Sequence, residues 1–140
     1  MDNACYYRVS IKGLVIDQTG RFLLTKENNG KWELLGGGLE HGEDPYSGLK
    51  REIKEETGLE VIQVSTSPKY FITTRRQGHN TYIANVIYEI KLKDLDFIAS
   101  DECQELRFFN IDEARREDMF PNVEKFLDVF DPALHNMPIN

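Results

Sequence analysis

Short apolar runs alternate with polar turns along most of the chain, which is typical of a β-rich fold. The segment "YRVSIKGLVI" alternates and then runs apolar, "DQTG" is a turn and "RFLLTK" is a short strand, so we predict a hairpin. The turn "ENNG" then leads into the brief strand "KWELL". Further predicted strands are "LEVIQVST", "KYFITTR", "NTYIANVIYEIKL" and "QELRFFNI", with a turn at "RQGHN" marked by Gly78 and Asn80.

Helical patterns occupy a central segment and the C-terminal part of the chain. Asp44 and Pro45 are a typical helix start, because aspartate caps free N–H groups and proline loses nothing at the first helical position. Gly58 is a typical stop. Asp112 is a candidate cap for a short helix, and "NVEKFLDVF" has amphipathic spacing with Asn122 as its predicted cap. The pattern predicts an α+β fold with helices packed on a mixed sheet.

Composition narrows the class of protein. A length of 140 residues, with 40% hydrophobic and 29% charged residues, is typical of a globular fold, and we expect a single domain over residues 1–140. Cys5 and Cys103 are too few for a disulfide framework and have no metal-ligand spacing, which favours a reducing compartment. No signal peptide or membrane-length apolar run is evident, so we expect a cytoplasmic protein without a membrane partner.

The net charge of -7 opposes binding to a nucleic acid polymer, because such binding depends on cationic neutralisation of phosphates. A small anionic ligand remains compatible with this charge if a cation helps locally.

Three glutamates share one side of the predicted central helix. At about 100° per residue, with Glu52 set at zero, Glu56 lies near about +40° and Glu55 near about -60°, and Gly48 lies on the same side. The stripe predicted to face the core lies beside them and consists of Tyr46, Leu49 and Ile53.

This cluster is locally unfavourable. Each repulsion between acids one turn apart costs about 0.2 to 0.5 kcal/mol, and Gly48 costs about 1 kcal/mol relative to alanine. An ordinary solvated face with an Arg51–Glu55 pair is the alternative interpretation. The coincidence of costs favours a functional site, since clustered carboxylates bind hard divalent cations such as Mg²⁺. The preceding Gly36, Gly37 and Gly38 allow close approach of a ligand, or form only a flexible turn.

The segment from Gly37 to Leu59 resembles the signature of the Nudix hydrolases. That signature is Gly, five residues, Glu, seven residues, Arg-Glu, an aliphatic residue, any residue, Glu-Glu, any residue, Gly and an aliphatic residue. The matching positions are Gly37, Glu43, Arg51, Glu52, Ile53, Glu55, Glu56, Gly58 and Leu59. "WELLGG" and "ELRFFNID" carry looser similarity. Leu35 departs from the proline that commonly precedes the paired glycines.

The resemblance implies the Nudix fold, an α/β/α sandwich around a mixed β-sheet, and a pyrophosphohydrolase. Its substrate is a nucleoside diphosphate linked to another moiety X, and its cofactor is Mg²⁺, with Mn²⁺ as a substitute. Carried over by position, Glu52, Glu55 and Glu56 are the expected metal ligands, joined by the carbonyl near Gly37 or Gly38. Glu52 or Glu55 is the expected base, Glu43 supports the cluster and Arg51 orients the carboxylates.

Other site residues are predicted outside the signature. Glu102 is a candidate metal ligand or base, ahead of Glu105, although both also fit solvated acids. Substrate-binding candidates are Gly36, Gly38, Arg75, Arg76, Tyr70 and Phe108. Trp32, Phe71 and Tyr82 are further candidates for stacking on a base, with burial in the core as the competing interpretation. The three histidines, His41, His79 and His135, are assigned no catalytic role.

Several functions are consistent with these residues. "TTRRQ" lacks the proline associated with ADP-ribose hydrolysis and the tyrosine associated with dinucleoside polyphosphates in the family, which favours nucleoside triphosphates, including oxidised ones. The main alternative is a catalytically silent nucleotide sensor. An isoprenoid diphosphate isomerase is disfavoured by the short chain and by the lack of an evident catalytic thiol. An incidental helix pattern without function is disfavoured because the full signature is present. A homodimer is compatible with the sequence.

Overall fold

The computed structural model describes residues 5–76, 78, 80–136 and 139. The strands are β1 (Tyr7–Leu14), β2 (Phe22–Lys26), β3 (Trp32–Glu33), β4 (Leu35–Gly38), β5 (Val61–Val64), β6 (Tyr70–Arg75), β7 (Tyr82–Leu92) and β8 (Glu105–Phe109). The helices are α1 (Pro45–Thr57), α2 (Ile111–Ala114) and α3 (Pro121–Val129), followed by a 3₁₀ turn at Pro132–His135.

The strands form two sheets. A mixed sheet has the order β4, β1, β7, β5, with β6 also pairing with β7; β1 and β7 are parallel and the other pairs antiparallel. A second, antiparallel sheet has the order β3, β2, β8. The predicted strand segments and mixed sheet are confirmed.

Two apolar clusters lie on opposite faces of the mixed sheet. Consecutive residues of β7 alternate between them, with Ile87 in one cluster and Tyr88 in the other, as the two-residue period of a strand requires. Helix α3 packs in the first cluster through Phe126, and α1 packs in the second through Leu49 and Ile53. The sheet therefore separates the two longer helices, in agreement with the predicted sandwich.

Helix α1 has the predicted ends. Asp44 accepts a hydrogen bond from the Ser47 N–H at 3.1 Å, Pro45 is the first helical residue, and Gly58 ends the helix in the left-handed region with φ of 75°. The core stripe is correct at Leu49 and Ile53 but wrong at Tyr46, which is 37% exposed.

The predicted hairpin forms beside its turn but does not extend along β1 and β2. Ile16 and Phe22 form an antiparallel bridge, the Leu23 N–H donates to the Val15 carbonyl and the Asp17 N–H donates to the Arg21 carbonyl, yet β2 itself belongs to the other sheet. The reason is burial on both faces of β2: Phe22 packs in the cluster of α3 and Leu23 in that of α1.

Both predicted caps in the C-terminal part are displaced. Asn110, not Asp112, is the N-cap of α2, because its side chain and that of Glu113 form a reciprocal capping box. Helix α3 begins at Pro121 without a side-chain cap, and the Asn122 side chain instead bonds to residues of the sheets. Among the described residues, no helix combines the length and apolarity needed to cross a bilayer.

Candidate active site

The glycine run forms β4 and brings the backbone against α1. Gly36 has a φ of 112°, in the region that favours glycine, and pairs with Lys12 of β1. A Cβ atom at Gly37 would lie 2.5 Å from Oε2 of Glu52, so the missing side chain is what lets that carboxylate lie on the β4 backbone.

Arg51 organises the exposed part of the acidic cluster. Its guanidinium donates to both oxygens of Glu43, at 2.7 and 2.9 Å, and to Glu52 and Glu55, each at 3.1 Å. It also donates to the Gly38 carbonyl at 3.3 Å. These hydrogen bonds lower the pKa of Glu43 to about 2 and raise that of Arg51. Arg51 therefore lies where the sequence predicts an orienting residue.

Gly48 makes room for this arrangement. A Cβ atom there would lie 2.8 Å from Oε1 of Glu43 and 2.7 Å from the Leu39 side chain. The bare backbone of the helix thus accommodates the carboxylate that holds Arg51.

Glu56 occupies a different environment from Glu52 and Glu55. It is 6% exposed, and its Oε1 accepts a hydrogen bond from the Gly36 N–H at 2.6 Å. Burial raises the pKa of Glu56 to about 8; the nearby Lys12 charge and the Gly36 hydrogen bond act in the opposite direction. Glu56 is the buried carboxylate of the predicted set.

Sequence reasoning missed Lys12, the buried cation of the site. Its Nζ donates to the Gly36 carbonyl at 3.1 Å and to the Leu34 carbonyl at 3.4 Å, and lies 4.0 Å from Oε1 of Glu33. The signal was present, because a lysine in the middle of the otherwise apolar "SIKGLVI" has to find buried partners.

The predicted metal ligands are only partly brought together. Glu52 and Glu55 both accept hydrogen bonds from Arg51, whereas Glu56 accepts one from the Gly36 N–H. Glu102 lies close enough for its charge to raise the pKa of Glu56. Within the described ranges, no three His, Cys, Asp or Glu side chains already form a group that could hold a metal ion. Without a cation, mutually repelling carboxylates are expected to take other partners.

The substrate-binding candidates separate in the structure. Arg75 and Arg76 line a cavity of about 460 Å³ together with Asn122. Tyr70 does not reach it: this residue is 8% exposed and its hydroxyl lies 2.7 Å from Nε2 of His135. Phe108 lines a different cavity, beside Val15 and Leu92. Tyr70 and Phe108 therefore do not share the cavity of Arg75 and Arg76.

The remaining aromatic candidates also divide by burial. Trp32 is 1% exposed and lies in the core, while Phe71 and Tyr82 are exposed. The side chain of His135 is 2% exposed and pairs with Glu89. His41 is exposed, and His79 lies outside the described residues.

The chemical character of the site follows from these contacts. Carboxylate oxygens from the second half of α1 lie against the glycine backbone of β4: Glu52 lies beside Gly37, and the buried Glu56 accepts a hydrogen bond from the Gly36 N–H. Such a donor set suits a hard divalent cation.

Comparisons with the sequences of known proteins identify the family of this chain. The family model described as NUDIX domain matches residues 6–130. A MutT-like protein of Streptomyces ambofaciens is 43% identical over 70 residues, which cover 49% of this chain and 46% of that protein. The nucleoside triphosphatase NudI of Salmonella paratyphi B is 30% identical over 118 residues, which cover 75% of this chain and 84% of that protein.

Solved structures give the same fold. The crystal structure of a MutT NUDIX hydrolase from Burkholderia pseudomallei aligns with a TM-score of 0.75 at 18% identity, covering 90% of this chain and 99% of the other. The expected Nudix fold is confirmed. The chain belongs to the Nudix family of pyrophosphohydrolases.

Proposed function

We propose that this protein hydrolyses a pyrophosphate bond of a nucleoside triphosphate or a closely related nucleotide, with Mg²⁺ as cofactor. The observation that carries the proposal is the environment of Glu56, which lies one helical turn from Glu52. Its carboxylate is buried and accepts a hydrogen bond from the Gly36 N–H, and burial raises the pKa of Glu56. The name of the NudI relative, a nucleoside triphosphatase, supports the substrate class.

The residues present fit a divalent cation. Gly37 has no side chain where a Cβ would meet Glu52, which leaves the backbone and that carboxylate side by side. Glu52, Glu55 and Glu56 would hold the metal, with the Gly37 carbonyl and Glu102 as further candidates. When bound, Mg²⁺ neutralises charge on the phosphates and lowers the pKa of a coordinated water.

The protein residues have separate roles in this proposal. Glu52 or Glu55, the less buried acids, accepts the proton of the attacking water, and Glu56 is a ligand only. Arg51 holds the acids at hydrogen-bond distance, and Glu43 fixes Arg51 from the other side. Arg75 and Arg76, at the cavity, contribute positive charge for an anionic substrate in a protein of net charge -7.

The test is release of phosphate and pyrophosphate from a panel of nucleoside triphosphates, oxidised triphosphates, ADP-ribose, dinucleotides and nucleotide sugars, with Mg²⁺ or Mn²⁺. The variants are Glu55→Gln and Glu56→Gln. The control is Glu124→Gln on the exposed side of α3, the same chemical change away from the site.

We expect turnover of triphosphates by the wild type and by Glu124→Gln, with loss in both site variants. Nucleotide binding without any turnover by the wild type would favour the sensor function instead. Turnover confined to ADP-ribose or nucleotide sugars would overturn the substrate class and retain the enzyme.

A further inference from the structure

Arg8 of β1 lies on the bare backbone of Gly38. A Cβ atom at Gly38 would lie 2.8 Å from Cζ and 2.9 Å from Nε of Arg8, and it would collide with Nη2. The glycine therefore makes room for the guanidinium. The Gly38 carbonyl accepts a hydrogen bond from Arg51, and the preceding Gly37 lies beside the Glu52 carboxylate. Arg8 thus lies next to the backbone that meets the proposed metal ligands.

The sheet places Arg8 between the glutamates of α1 and the cavity of about 460 Å³ beside Arg75 and Arg76. β1 lies between β4, which carries Gly38, and β7, in which Ile83 is the registered partner of Arg8. Registered partners in neighbouring strands point to the same face of a sheet. Ile83 lines the cavity, so a ligand that reaches from the cavity to the glutamates would cross β1 beside Arg8.

The charges of Arg8 and Arg51 differ in their partners. Arg51 forms ion pairs with several acids at N–O distances from 2.7 to 3.9 Å, namely Glu40, Glu43, Glu52 and Glu55. Arg8 is exposed, and within the part of the chain that the structure describes its side chain makes no hydrogen bond or ion pair. Glu40 and Glu43 line a surface cavity together with Arg8, yet both pair with Arg51. The Arg8 charge is therefore available to an anionic ligand.

Nucleotide substrates differ in the charge at the end of the phosphate chain. A nucleoside triphosphate has a terminal phosphate group, which carries about -1.5 to -2 charge at pH 7. The diphosphate of ADP-ribose or of a nucleotide sugar is esterified at both ends and has no such group. A single divalent cation offsets the charge of this diphosphate but leaves a triphosphate with excess negative charge. A guanidinium suits that excess, since it pairs with phosphate oxygens through two parallel N–H bonds.

We propose that Arg8 binds the terminal phosphate of a nucleoside triphosphate and thereby selects triphosphates over nucleotides whose diphosphate is esterified at both ends. The guanidinium donates its N–H groups to this phosphate over Gly38, close to the glutamates of α1. Arg8 remains charged and takes no proton. This inference rests on the proposed function, because it assigns the choice of substrate at the same acidic site.

The test compares a triphosphate with a nucleotide sugar of the same base, ATP with ADP-ribose and GTP with GDP-mannose, so that contacts to the base cancel in the ratio. Arg8→Gln removes the charge. We expect this variant to lower kcat/KM for the triphosphate by about tenfold or more, the effect of a charge-assisted hydrogen bond, and to change that for the nucleotide sugar by less than about twofold. If the nucleotide sugar is not hydrolysed, its inhibition constant against the triphosphate takes the place of kcat/KM.

Two further variants serve as controls. Arg8→Lys keeps the charge but loses the paired donors, so its kcat/KM for the triphosphate should lie between those of wild type and Arg8→Gln. Arg116→Gln makes the same change at another exposed arginine and should keep the wild-type ratio. Equal losses for both substrates in Arg8→Gln would show a structural role, and either that result or no loss at all would overturn the inference.

Failure of the proposed function gives different results. Should the wild type hydrolyse the nucleotide sugars alone, the enzyme is retained and the role of Arg8 in selecting triphosphates is overturned. Should the wild type hydrolyse no nucleotide, the proposed function fails, and dissociation constants of ATP and ADP-ribose for wild type and Arg8→Gln then test Arg8 separately. A loss of affinity confined to ATP would support the inference, and unchanged or equally weakened affinities would contradict it.

Discussion

Two glutamates are almost equally buried in this protein, and they differ in their partners. Glu89 is 7% exposed, and its Oε1 lies 2.6 Å from Nδ1 of His135. His135 in turn bonds to the Tyr70 hydroxyl. Glu56 is 6% exposed and accepts one backbone N–H, with Lys12 acting only through its charge.

The difference separates an acid held by a side-chain partner from the acid on which the proposed function depends. The Glu89 network ties the C-terminal 3₁₀ turn to the mixed sheet through the imidazole of His135, which also contacts the Tyr70 hydroxyl. The Glu56 carboxylate instead accepts from the backbone N–H of Gly36, and burial raises its pKa to about 8. Burial alone therefore does not distinguish the two acids; the kind of partner and the neighbouring acids of α1 do.

The largest effect is expected at Glu56. Glu56→Gln should lower kcat by more than about 100-fold, beyond the loss typical of residues that only support a metal site. The free energy of unfolding of the metal-free protein at pH 8 should not fall, because the variant removes a desolvated charge. Steady-state kinetics and urea denaturation measure the two quantities, and Glu124→Gln is the control. More than a tenth of wild-type kcat would contradict the role.

Removing the partner of Glu89 is expected to lower stability and leave activity unchanged. His135→Ala leaves Glu89 buried without its partner, which should lower the free energy of unfolding by about 2 kcal/mol. Specific activity of the folded protein at 25 °C should stay within about twofold of wild type. The matched control is the exposed His41→Ala, which should change neither quantity. Loss of activity without loss of stability would show that the Glu89 network is functional.

A smaller effect on activity is expected at the glycine backbone. Gly37→Ala introduces a Cβ 2.5 Å from Glu52, so the carboxylate has to move and kcat should fall about tenfold. Gly30→Ala is the control: its φ of 83° makes alanine strained, but nothing lies near the new atom. That variant should lose about 1 kcal/mol of stability with kcat unchanged. Equal kcat values in the two variants would count against the proposed position of Glu52.

The smallest effect concerns pH. The pKa of Glu43 is lowered from 4.5 to about 2 by its hydrogen bonds to Arg51. The ion pair therefore contributes stability above about pH 4.5, and this contribution is lost as pH falls towards 2. The difference in melting temperature between wild type and Glu43→Gln should be constant from pH 7 to about 5 and should shrink below that. A difference that persists at pH 2 would mean that Glu43 acts through packing alone.

Local signals predicted much of this architecture. Asp44, Pro45 and Gly58 determine their helix through their own backbone chemistry, and the structure keeps all three. The hairpin of β1 and β2 forms only beside its turn, because the choice of sheet depends on burying both faces of β2, which no local pattern reports. Asn122 was predicted as a cap but bonds to Glu33, a partner 89 residues away in sequence.

The site shows the same division. The signature predicted which acids of α1 lie near Arg51 and the glycine backbone, since it fixes residue types at helical spacing. Lys12 could not be placed from it, because this residue reaches the site through the pairing of β1 with β4. The contact of Tyr70 with His135 could not be predicted, since an aromatic residue in a strand gives no indication of which side chain its hydroxyl will meet.

The most direct test of the account is a titration of Mn²⁺ into the protein, followed by electron paramagnetic resonance, for wild type, Glu56→Gln and Glu124→Gln. The account predicts saturable binding by wild type and Glu124→Gln, and a dissociation constant at least about tenfold higher for Glu56→Gln. Equal affinity in all three proteins would show that Glu56 is no ligand and would contradict the account.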